Sequence, residues 1–117
     1  MAVSEHTQAP LHIAQIRRDL DLSRERMARL LDVSAKTIER WEERDALPSS
    51  ARLRQMLGQV QEIIDLGRNV YTQEGFSRFL QTPLRAAQGR TPLQLIEQDR
   101  AEQAIAALAS DYEGLGY

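Results

Sequence analysis

An all-α fold is predicted by two features of this 117-residue chain. Hydrophobic residues make up 42% of it but aromatic residues only 5%. The core must therefore be built from Leu, Ile, Ala, Met and Val, most of which are good helix formers. In addition, apolar residues recur at intervals of three and four, and long runs of alternating β-branched residues are absent.

The elements follow in order. A first helix is expected over Pro10 to Leu20, with Pro10 in its first turn and Ile13, Ile16 and Leu20 on one face. Ser23 is placed to cap a second helix ending near Leu31. After a break at Asp32 and Val33, Ser34 caps a third, to about Glu43, with Ile38 and Trp41 facing inward. Leu47-Pro48-Ser49 closes that unit, and Ser49 or Ser50 opens a longer helix to about residue 66. Its apolar stripe is Leu53, Met56, Leu57, Val60, Ile63 and Ile64. The stretch from Gly67 to Gly75 reads as a hinge or linker. Short helices are expected over about 74–81, 83–88 and 92–97, and a last one from about Arg100 to Tyr112. The ending EGLGY is too rich in glycine to continue it.

The segment 82–93, TPLRAAQGRTPL, writes Thr-Pro-Leu twice. Thr is a good N-cap, and Pro suits the first helical position, where a missing N–H costs nothing. Gly89 falls where the first short helix must stop. The segment therefore reads as two short helices in succession, each started by the same cap. The period is too short for a solenoid repeat.

Composition excludes several classes. There is no cysteine, so neither a disulfide framework nor a cysteine zinc site is available. The longest apolar run, Ala104 to Ala109, is far too short to cross a bilayer. MAVSEHTQAP lacks the apolar segment of a secretory leader, and a soluble, cytoplasmic protein is expected. The net charge is −2, with acids and bases balanced over the first seventy residues. Any contact with nucleic acid must come from a local arrangement of arginines, doubled by dimerisation. Lys36 is the only lysine.

The strongest constellation is SRERMARLLDVSAKTIERWEE, residues 23–43. Two short helices joined by a tight turn cross steeply, which asks for a small residue at their approach (Ala28) and apolar ones inside (Met27, Val33, Ile38, Trp41). Asp32 occupies the turn position that wants a left-handed backbone, which Asp tolerates better than most residues. Val33, Ser34, Thr37, Ile38, Trp41 and Glu42 fit the pattern Val-Ser-x-x-Thr-Ile-x-x-Trp-Glu, and the stretch resembles the helix-turn-helix of the Xre, phage-repressor-like family. The resemblance implies that the second helix enters the DNA major groove by its N-terminal turn. Ser34, Ala35, Lys36, Thr37 and Glu39 would then face the bases: Lys36 towards guanine acceptors or a phosphate, Ala35 towards a thymine methyl, Glu39 towards a cytosine amine. Arg24, where the family often has Gln, and Arg40 would reach the backbone. Arg17, Arg18, Arg26, Arg29, Arg52 and Arg54 read as a solvated face.

The second half carries its own resemblance. FLQTPLRAAQGRTPLQLIEQ, then a helix, then Tyr112-Glu113-Gly114, is similar to the C-terminal domain of the Xre–MbcA–ParS antitoxins. Leu80, Thr82, Pro83, Gly89, Thr91, Pro92 and Leu95 match. Leu84 replaces the usual Asn, Ala86 or Ala87 a Leu, and Gly89 stands alone where a pair is common; Glu113 separates Tyr112 from Gly114. The architecture implied is a small helix-turn-helix domain, residues 1–67, followed by a compact helical toxin-binding domain, residues 68–117. The function implied is that of an antitoxin that represses its own operon through operator DNA. Its partner would be a RES-type toxin, which consumes NAD or transfers ADP-ribose and whose active site the antitoxin covers. Gly89, Arg90 and Thr91 would belong to the toxin-binding surface, with Tyr112, Leu115 and Tyr117 as anchors and Gly114 letting the backbone fit a cleft.

No enzyme is expected, and no cofactor or metal. His6 and His12 have no ligand partner at metal spacing, and the pairs Glu42-Glu43 and Asp99 with Glu102 read as solvent-facing. A homodimer is expected, because one helix-turn-helix of zero net charge is a weak binder. Two other functions stay open: a stand-alone repressor that dimerises through the C-terminal unit, and an interaction module whose helix-turn-helix no longer binds DNA.

Overall fold

Hydroxyl caps set the helix starts. In the computed structural model, which describes residues 10–114 (the last two as backbone only), the side chains of Ser23, Ser34, Ser50, Thr72 and Thr91 each accept from a backbone N–H three residues on. The helices are α1 (Ile13–Leu20), α2 (Arg24–Leu31), α3 (Ala35–Arg44), α4 (Ala51–Val70), α5 (Gln73–Leu80), α6 (Pro92–Glu97) and α7 (Ala101–Gly114). A single 3₁₀ turn, Arg85–Ala87, lies between α5 and α6.

The stops are as regular as the starts. Asp21, Asp32, Asp45 and Asp99 all have left-handed backbones, with φ of 60°, 58°, 48° and 62°. In each case the next residue's N–H reaches back to close the last turn: Leu22 to Arg17, Val33 to Ala28, Ala46 to Trp41 and Arg100 to Leu95. Glycine usually fills this position. Here Asp does so four times, and the turn between α2 and α3 is one of them.

Amphipathic spacing then assembles the layers. α2 crosses α3, and α1 packs on both α3 and α4. α4 and α7 form the most extensive helix pair, while α6 lies against both α2 and α7. One apolar cluster runs through the described residues, from Ile13 and Ile16 through Met27 and Ile38 to Leu57, Ile64, Leu95 and Leu108. The all-α fold is as expected.

Several element boundaries differ from expectation. α1 starts at Ile13, not Pro10, because His12 is extended (φ −130°, ψ 112°) and its Nδ1 is held 2.9 Å from Asp45 Oδ1. The stretch 67–75 is no linker: α4 continues to Val70 and only Tyr71 and Thr72 precede α5. Gly67 is buried, and a methyl there would run into the Phe76 ring. The glycine thus lets α5 fold back tightly on α4 and is no breaker. The 83–88 helix shrinks to one 3₁₀ turn, and α7 carries Glu113 and Gly114 as its last residues. Trp41 faces inward as expected, half-buried against the core.

Candidate functional site

The first turn of α3 is locked by its own cap. Ser34 Oγ accepts from Thr37 N at 3.0 Å and lies 2.9 Å from Thr37 Oγ1. Both hydroxyls thus support the helix start, and Thr37 is half-buried. Ala35 packs against the core. Lys36 projects outward with its side chain 79% exposed, 3.8 Å from Glu39 Oε1. Arg40, one turn on, is exposed too. The structure therefore brings Ser34, Ala35, Lys36, Thr37, Glu39 and Arg40 together along the start of one helix, with Lys36 and Arg40 as its outward cations.

Behind this face sits a charged clamp that local sequence spacing does not announce. The Glu42 side chain is only 6% exposed. Arg17 Nε of α1 donates to Glu42 Oε2 at 2.5 Å, and Arg24 Nε of α2 donates to Oε1 at 3.0 Å. Arg17 also donates to the Leu22 carbonyl at 3.1 Å. Burial on its own pushes the Glu42 pKa up. The hydrogen bonds and positive charges of Arg17 and Arg24 outweigh it, and the carboxyl titrates below the ordinary glutamate value. One carboxylate thus ties α1, α2 and α3 together. Two readings from sequence are corrected: Glu42 does not face solvent, and Arg17 is no solvated arginine. Both give up hydration because the fold places complementary partners 25 residues apart in contact. Arg24, the candidate phosphate contact, shares its guanidinium with this clamp.

In the second half, the two Thr-Pro-Leu copies do different things. Thr91 forms a full capping box: its Oγ1 accepts from Gln94 N at 3.1 Å, and Gln94 Oε1 accepts from Thr91 N at 2.9 Å. Thr82 caps nothing. Its hydroxyl turns back and donates to the Arg78 carbonyl at 2.6 Å, closing α5 instead of opening a helix. Leu84 and Arg90 then pair as an isolated antiparallel bridge, with Leu84 N donating to Arg90 O at 2.9 Å. Gln88 and Gly89 turn this loop with left-handed φ of 57° and 85°. The cap expected at Gly89 is therefore shared with Gln88. Gly89, Arg90 and Thr91 stand together on the descending side of the loop.

Tyr112 is 51% exposed near the end of α7, and Gly114 closes that helix. Leu115, Tyr117 and His6 lie outside the described residues. The last turns of α7 are tied down by Tyr71, which no sequence motif singles out. Its hydroxyl donates to Asp111 Oδ2 at 3.0 Å, and its ring stacks on Phe79 with centroids 5.3 Å apart. Burial first, then the hydrogen bond and charge of Asp111, push its pKa up. Among the described residues no group of three acids or histidines converges as a metal site would require, and no helix is long and apolar enough to cross a membrane.

Comparison with known proteins follows this geometry. Residues 13–69 match the family model HTH_3, Helix-turn-helix. No curated protein sequence matches the chain at a significant level. Among solved structures, the chain is similar to one in the crystal structure of the M. tuberculosis MbcT-MbcA toxin-antitoxin complex, with a TM-score of 0.72 at 20% identity. The match covers 87% of this chain and 91% of that one. Residues 13–69, whose crossed helices α2 and α3 are clamped by Glu42, thus match the helix-turn-helix family model HTH_3, and they are built into an all-α fold similar to that of a chain in a toxin–antitoxin complex.

Proposed function

We propose that this protein is the antitoxin of a type II toxin–antitoxin pair. It represses its own operon by placing α3 in the operator major groove, and it neutralises a RES-type, NAD-consuming toxin by covering the toxin's active site. One observation carries the reading: a helix-turn-helix of the HTH_3 family lies within a fold that matches, over most of its length, a chain of a toxin–antitoxin complex. The functional division falls near residue 67, with 1–67 meeting DNA and 68–117 meeting the toxin. The protein acts in the cytoplasm, binds no membrane and works as a homodimer without enzymatic activity.

On the DNA side, Lys36 and Arg40 reach the groove edge and backbone, with Ser34, Ala35, Thr37 and Glu39 alongside. Arg24 gives its Nε to Glu42 and keeps Nη1 for a phosphate. On the toxin side, the loop Gly89-Arg90-Thr91 and the end of α7, with Tyr112, Gly114, Leu115 and Tyr117, form the binding surface.

Two experiments test this. Lys36→Glu with Arg40→Glu abolishes operator binding in a gel shift while helicity stays unchanged; unaltered binding removes α3 from the groove. Arg24→Glu is unsuitable, because it sets a second carboxylate against Glu42. For the toxin, the full chain is co-expressed with the protein encoded beside it. Rescue of growth, lost on deletion of residues 113–117, supports the antitoxin. Operator binding without any rescue by the full chain leaves a plain repressor.

A further inference from the structure

An open cleft of about 400 Å³ lies between α2 of the helix-turn-helix and the segment that ends α5 and carries α6. Its apolar lining is Leu22, Leu30 and Leu93, which keep more exposure than any other buried leucine of the core. Arg26 and Arg29, one turn apart on α2, line one side. Both are exposed, and among the described residues neither makes an ion pair. Opposite them stand Thr91, Gln94 and Glu97. Gln94 Oε1 is occupied by its capping bond, so its amide offers N–H donors to the cleft. The lining is rich in donors, has an apolar base, and holds a single carboxylate.

We propose that this cleft receives an acidic, partly apolar segment of the toxin, so that the toxin sits on the DNA-binding domain as well as on the C-terminal unit. This rests on the antitoxin reading. Two unpaired guanidiniums suit a carboxylate in bidentate geometry. The leucines suit a neighbouring apolar side chain, and a backbone N–H of the same segment can find its acceptor at position 97, where an amide oxygen serves as well as a carboxylate. The cleft is open to solvent and would leave a free small molecule exposed, whereas ligand sites bury about 70–90% of what they hold. A segment of a larger protein escapes that limit, because the rest of its partner's surface closes over it. A DNA backbone is disfavoured by Glu97, which would face phosphates. Thr91, already on the proposed toxin surface, makes the cleft continuous with it.

The test uses the full chain and the purified protein encoded beside it, by calorimetry, with operator affinity measured in parallel. Arg26→Gln with Arg29→Gln is expected to weaken toxin binding about tenfold or more, while Glu97→Gln leaves it equal or tighter. Operator affinity changes less than about threefold in either variant, and thermal midpoints confirm folding. Toxin binding unchanged in the double arginine variant overturns the proposal, and so does equal weakening by Glu97→Gln. Loss of operator binding with toxin binding intact assigns the arginines to DNA and also overturns it. If the wild type binds operator but no toxin, the antitoxin reading falls and the cleft assignment with it.

Discussion

Glu42 decides more than any other single side chain. Its side chain is 6% exposed and held by two arginines from two other helices. Removing its charge leaves Arg17 without its main acceptor. Glu42→Gln should therefore destabilise by about 2 kcal/mol, read as a shift in the urea midpoint at neutral pH. The sign with pH follows from the lowered pKa. The carboxylate's contribution is complete above its unfolded value of 4.5 and is lost as pH falls through the lower folded value. Wild type and variant should thus converge as pH falls below that lowered value; a gap that stays constant into acid removes the ion pair as the cause. Asp32 gives the opposite kind of test. It holds φ 58° in the turn between α2 and α3, and among the described residues its side chain makes no hydrogen bond. Asp32→Gly relieves left-handed strain and should stabilise by about 0.5–1 kcal/mol. A lower thermal midpoint would contradict that account.

Among the elements, the two Thr-Pro-Leu copies separate what a cap motif permits from what it achieves. Thr91 is read correctly from sequence, since its cap partner Gln94 is three residues away and its Pro92 sits at the first helical position. Thr82 has the same neighbours but opens no helix. The Leu84–Arg90 bridge takes the backbone groups that a helix would have used. Thr91→Ala should cost about 1 kcal/mol, and Thr82→Ala, which loses one exposed bond to Arg78, clearly less. Equal losses in thermal denaturation would put both residues in caps. The same contrast explains Gly67. Local rules read a glycine followed by polar residues as a break. Packing against Phe76 makes it a contact point inside a 20-residue helix.

For the molecule as a whole, the functional division proposed near residue 67 is not a seam in the core. Asp19 of α1 accepts from Arg68 at 2.8 Å, and its carbonyl accepts from Gln73 at 3.3 Å, so the start of the second half is bound to the first helix. α6 packs on α2, and α7 on α4. Such a core unfolds as one unit. Leu95 is fully buried in α6, and Trp41, the only tryptophan, stands in α3. Leu95→Ala should cost about 2–5 kcal/mol and shift the Trp41 fluorescence transition together with the far-ultraviolet one. A Trp41 transition that stays at its wild-type midpoint would show two independent units.

The sequence by itself determined the helical class, four of the five hydroxyl caps (all but Thr72), the left-handed turn at Asp32 and the order of the two halves. These depend on neighbours within four residues, and local chemistry repeats its signals there. The tertiary structure alone decided that Glu42 is clamped by Arg17 and Arg24, that Thr82 caps nothing, that Gly67 is a contact and that Tyr71 holds Asp111. Each depends on a partner brought in by packing or by a competing backbone bond, from the Leu84–Arg90 bridge beside Thr82 to a residue 40 positions away. No spacing rule carries that information, because burial and pairing are properties of the assembled core.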